Sequence, residues 1–142
     1  MSVDLYVFVD HPSVLTVVEW EQAIEAAHYP VRFNERIDLQ NASGFFPVTL
    51  GHKKTGFYFL NKPSSDGIPG AKRHHSTAVY EFSFGSHFLE GASAYYVAAA
   101  LVASFHGRAF DPQSGQWIDA PALDEAAEQM ETLGASEEGI PD

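Results

Sequence analysis

Residues 5–9 (Leu5, Tyr6, Val7, Phe8, Val9) form an unbroken apolar run bracketed by Asp4 and Asp10. Successive strand residues point to opposite faces, so such a run reads as an interior strand with material packed on both sides. His11-Pro12 closes it, because proline cannot donate to a ladder. A helix start follows at once. Thr16 and Glu19 make a T-x-x-E capping box, and Leu15 and Trp20 are spaced as a hydrophobic staple. Val17, Trp20, Ala23, Ile24 and Ala27 form one apolar stripe, and Pro30 stops the helix near Tyr29.

The remaining elements follow from periodicity and turn residues. Residues 31–37 read as a weak strand or an extended connector. Residues 45–50 and 56–60 read as a strand pair across Gly51-His52-Lys53-Lys54, with Pro47 pointing to an edge or a bulge. Residues 61–76 are rich in proline, glycine, serine and bases and read as a long exposed loop. Residues 77–84 alternate, with Ala78, Tyr80, Phe82 and Phe84 on one face and Val79, Glu81 and Ser83 on the other. A second helix is expected over 86–106, apolar nearly all round and therefore buried, with Gly107 as its cap.

Residues 108–110 and 116–118 flank the turn Asp111-Pro112-Gln113-Ser114-Gly115. A third helix is expected from Asp119, with Pro121 in its first turn and Gly134 at its end. Its stripe is Leu123, Ala126, Ala127, Met130 and Leu133. Consecutive strands mixed with helices predict an α+β fold: one domain over 1–134, with an antiparallel or mixed sheet of about five to six strands on two to three helices. Residues 135–142 read as an acidic, flexible tail.

Charge narrows the function classes. The net charge is −11, which disfavours direct contact with nucleic acid or an anionic membrane. Residues 1–108 hold ten acids and all eight bases, whereas residues 109–142 hold nine acids and no base. Nearly all the net charge therefore lies in the last quarter, where it reads either as a solvated face or as a field that steers a basic partner. No cysteine is present, so disulfides, thiolate metal sites and thiol catalysis are excluded. The start of the chain lacks a basic n-region and reads as a strand rather than a signal peptide, which predicts a cytoplasmic protein. No apolar stretch is long enough for a membrane span.

The motifs of catalysis and metal binding are missing. The seven histidines (His11, His28, His52, His74, His75, His87, His106) show no H-x-x-x-H spacing. Gly67 to Arg73 resembles a phosphate loop but lacks the G-K-[ST] ending, and no G-x-S-x-G elbow supports Ser86 or Ser93 as a nucleophile. Asp111 and Asp119 read as turn and helix caps. The sequence therefore predicts no cofactor, no metal and no enzyme. A small hydrolase or transferase, with His74, His75 and Glu81 converging, stays open as an alternative. So does a homodimeric structural or regulatory protein joined through Tyr95 and Tyr96.

The stretch Gly107-Arg108-Ala109-Phe110-Asp111-Pro112-Gln113-Ser114-Gly115-Gln116-Trp117, running into an acidic helix, resembles small bacterial α/β proteins with a G-x-x-x-D-P-Q-x-G hairpin at this place. The apolar strand, proline turn and T-x-x-E-W helix at the start are similar to the same proteins. Some of these look like immunity proteins paired with antibacterial effectors, including nuclease effectors of type VI secretion. The resemblance implies a protein that neutralises a cognate toxin whose active site is basic. The acids of the hairpin and third helix (Asp111, Asp119, Asp124, Glu125, Glu128, Glu131) are then expected to mimic phosphates. Trp117 is expected either to anchor the partner or to pack under the third helix.

Overall fold

The computed structural model describes residues 3–10, 15–35, 38–39, 43–62 and 78–139. The elements run β1 (Val3–Val9), α1 (Val17–Ala26), β2 (Val31–Phe33), β3 (Ser43–Leu50), β4 (Lys53–Lys62), β5 (Ala78–Phe84), α2 (Phe88–Ser104), β6 (Arg108–Asp111), β7 (Gln116–Ile118) and α3 (Ala120–Leu133). The fold is α+β. Its sheet has seven strands in the order β2-β3-β4-β5-β1-β6-β7, and every pairing is antiparallel. The count exceeds the expected five to six because residues 31–33 are a true strand, pairing Val31 with Leu50 and Phe33 with Val48.

β1 lies between β5 and β6, as its two-sided apolarity demands. Leu5, Val7 and Val9 join Tyr80, Phe82, Phe59, Phe46 and Ala109 in the main core beneath the helices. The opposite face differs from expectation. Among the described residues it carries no second layer of elements, only a local cluster of Tyr6, Phe8, Val79 and Phe110 with Trp117 against it.

Trp20 is the hub of the main core. It is fully buried, touches Phe33, Phe46, Phe59, Tyr80 and Phe82, and donates its Nε1 proton to the Val97 carbonyl at 2.9 Å. That bond ties α1 to α2 and leaves no buried indole N–H unpaired. α2 is buried continuously from Gly91 to Leu101. Small side chains permit its close packing: a Cβ on Gly91 would sit 2.6 Å from the Met130 sulfur of α3. Tyr95 and Tyr96 are buried in the same helix, so they offer no free apolar face for a homodimer.

Local signals decide the helix ends. Thr16 and Glu19 form the full reciprocal capping box on α1. α1 ends at Ala26 rather than Tyr29, so Ala27 is exposed instead of joining the stripe. There His28 takes the left-handed conformation at φ 59°, while its N–H donates to Glu25 and that of Tyr29 to Ile24. This is the Schellman closure, with histidine where glycine is usual. α2 closes similarly: His106 is the left-handed residue at φ 52°, and the Gly107 N–H reaches Val102. The expected cap at Gly107 is thus displaced by one residue.

The β3–β4 hairpin is tighter than expected. Leu50 pairs with Lys53, so only Gly51 and His52 lie in the turn, with Gly51 at φ 61°. A glycine at the first turn position is what the II′ hairpin requires. β4 also runs on through Asn61 and Lys62, which were expected in a loop; residues 63–76 of that loop lie outside the described residues. Pro47 is tolerated because it lies just past the β2 ladder, which covers only residues 48–50 of β3; its carbonyl still accepts the Asn34 N–H at 3.2 Å, and no donor is required of it there.

One expectation about α3 needs adjustment. Leu123 and Ala127 are buried, but Leu133 is 60% exposed, because α3 packs chiefly on α2 and its apolar stripe is narrow. Ala135 and Glu137, in the described part of the expected tail, contact the rest of the fold. The Glu137 carboxylate accepts the N–H groups of Phe88 and Leu89 at 3.1 and 3.0 Å, and Lys53 Nζ donates to the carbonyls of Ala135 and Glu137. The α2 cap residue, His87, makes no capping bond of its own, so Glu137 supplies the missing acceptor.

Candidate partner-binding surface

Six of the seven predicted site residues divide into three groups, and Glu125 stands apart. Asp111 and Asp119 are engaged locally. Asp111 accepts from the Gln113 N–H and the Ser114 hydroxyl, both at 2.9 Å, and holds the hairpin turn. Asp119 accepts from the Ala122 N–H at 2.9 Å and caps α3. Their lone pairs are partly spent on backbone and turn, as the sequence suggested.

Trp117 forms the second group. Its ring lies 5.3 Å from Phe8 and 5.0 Å from Phe110, with the Arg108 guanidinium 4.5 Å from its centre. It is half-buried on the sheet face away from the helices, so it does not pack under α3. The cause is strand alternation, since Trp117 pairs with Phe110, which faces the same side as Tyr6 and Phe8.

Asp124, Glu128 and Glu131 form the third group. Their spacing aligns them along one side of α3. That side borders two aromatic residues that the sequence did not connect with these acids, Tyr29 and Tyr96, whose rings are 5.2 Å apart. The buried Tyr96 hydroxyl donates to Glu131 Oε1 at 2.7 Å. Burial raises its pKa well above the ordinary tyrosine value, helped by that bond and by the charges of Glu131, Glu128 and Asp124. Burial also raises Tyr29, with Asp124 and then Glu128 adding to the effect. The three carboxylates thus act on one spot. Glu125 lines a shallow depression together with Glu128, Gln129, Thr132 and Leu133.

Tyr29 also connects the α3 acids to α1. It lines a cavity of about 560 Å³ together with Glu21, Ile24, Glu25, His28, Val31, Arg32 and Phe33. Glu21 and Glu25 stand one helical turn apart, and the last turn of α1 carries no base. The pair was visible in the sequence as the polar side of the helix. Its meeting with Tyr29 and the α3 acids was not, because that depends on how α1, α2 and α3 pack.

Chemistry elsewhere is limited. On the open sheet face, the Tyr6 hydroxyl donates to Glu81 Oε1 at 2.8 Å and the Ser83 hydroxyl to Asp4 Oδ1 at 2.5 Å. His74 and His75, expected as possible partners of Glu81, lie outside the described residues. Among the described residues no group of three or more histidine, aspartate or glutamate side chains is placed to hold a metal ion. No helix among them is long and apolar enough to cross a membrane.

Comparison with protein-family models, curated proteins and solved structures returns no match for this chain.

Proposed function

We propose that this protein is an immunity protein that binds and neutralises a cognate antibacterial toxin in the cytoplasm, and that the toxin is a nuclease. The supporting observation is the alignment of Asp124, Glu128 and Glu131 on one side of α3 beside Tyr29 and Tyr96, in a segment that holds no base. Nuclease active sites gather bases to hold phosphates, and a row of carboxylates offers the same charge without a scissile bond. Tyrosines beside the acids add rigid contact area at small entropic cost. Charge of one sign also speeds encounter, which matters for an inhibitor that must act before the toxin does. Inhibition by occlusion needs no catalytic group on the inhibitor.

The test is capture of the tagged protein's partner from its own host's lysate at low and high salt, followed by mass spectrometry. One basic, toxin-like protein, retained at low salt and released at high salt, is the expected result. Capture of a neutral or acidic metabolic protein would overturn the reading.

A further inference from the structure

The cavity between α1 and β2 has a built character. Ile24 and Val31 are buried and form its floor, Tyr29 and Phe33 are half-buried walls, and Glu21, Glu25, His28 and Arg32 stand around its mouth. Phe33 is held rigidly, edge-on to Trp20 at 4.9 Å, and Tyr29 is held against Tyr96. No hydrogen bond or ion pair engages the side chain of Glu21 or Glu25 among the described residues.

We propose that this cavity is the socket for one arginine side chain of the protein partner, an assignment that rests on the toxin-binding reading above. The complement of an apolar floor under an acidic rim is a side chain with an apolar stem and a cationic head. Arginine fits better than lysine, because its planar guanidinium stacks on aromatic walls and forks between two carboxylates. The local sequence is otherwise unfavourable. Two glutamates one turn apart repel, and Glu25, in the last turn of α1, opposes the helix dipole. A bound guanidinium removes both penalties. Asp124 and Glu128 add negative charge beside the Tyr29 wall. Arg32, exposed on β2, is placed to take a carbonyl or carboxylate next to the incoming side chain.

The experiment titrates the isotope-labelled full chain with N-acetyl-arginine amide and with its citrulline counterpart, which is nearly isosteric but uncharged. Saturable shifts of the Ile24 and Val31 methyl signals are expected with arginine, at least roughly tenfold weaker with citrulline, and lost in the Glu21→Gln, Glu25→Gln variant. The rest of that variant's spectrum should overlay the native one, which separates loss of the site from loss of the fold. Equal shifts with both compounds, or none with arginine, would overturn the socket. The lysate capture separates the two claims. A basic toxin captured while arginine amide leaves Ile24 and Val31 unmoved overturns the socket alone. Arginine binding without any captured basic protein supports the socket and overturns the immunity reading.

Discussion

The Tyr96 hydroxyl donates to Glu131 Oε1 at 2.7 Å, from a buried position on α2 to the half-buried side of α3. The bond fixes one end of the acidic row to the core. Tyr96→Phe removes it while keeping the ring, and should destabilise the fold by about 1 kcal/mol. Glu131→Gln should cost less, since the amide oxygen still accepts. Urea unfolding of the two variants checks the order.

Trp20→Ala should be the most damaging single change in α1. It empties a fully buried site that touches five aromatic rings and deletes the bond to Val97. The expected loss is about 3–5 kcal/mol. Trp20→Phe keeps most of the volume and should lose clearly less, because the Val97 carbonyl belongs to a helical ladder that remains. Denaturant midpoints with unchanged slopes would show that stability alone has moved.

Glu137 caps a helix from a distance. Glu137→Ala should cost about 1 kcal/mol and raise the hydrogen-exchange rate of the Phe88 and Leu89 amides before that of the α2 centre. Unchanged exchange at those two amides would contradict the capping role.

His106 holds a left-handed backbone that glycine adopts freely. His106→Gly should raise stability by about 0.5–1 kcal/mol, the reverse of the usual effect of glycine. Thermal unfolding at fixed pH reads this directly.

Alkali should destabilise the protein through its tyrosines. Burial, with the charge of Glu19, raises Tyr80 from 10.0 to about 12, and burial also raises Tyr6 and Tyr96. Above pH 10 the unfolded chain releases these protons and the folded chain keeps them, so the unfolded state binds fewer. Stability from these groups is therefore complete below pH 10 and is lost progressively through about pH 12. Urea midpoints across this window should fall, and Tyr96→Phe should flatten the slope.

What could be read in the chain was what neighbouring residues decide together. The T-x-x-E box, the D-P-Q-S-G turn, the alternation of residues 78–84 and the buried character of α2 all depend on local spacing, and each forms as expected. The failures lie where partners are distant. Trp117 faces away from α3 because it follows the pleat of β1 and β6, and Leu133 is exposed because α3 has one main packing partner. Of the candidate site, the acids of α3 were legible from their spacing. The Tyr29–Tyr96 pair and the α1–β2 cavity were not, since they arise only when α1, α2 and α3 are assembled on the sheet. The Glu137 cap carries no local signature at all.

The most direct test of the partner-binding claim compares capture by the native chain, by Asp124→Lys with Glu128→Lys, and by Glu35→Lys with Glu138→Lys. Both double variants change the net charge equally, and the second pair of sites is exposed and lies outside α3. Loss of a basic toxin-like partner in the first variant and its retention in the second is the predicted result. Equal retention by all three proteins would contradict the account and return the acids of α3 to the role of a solvated surface.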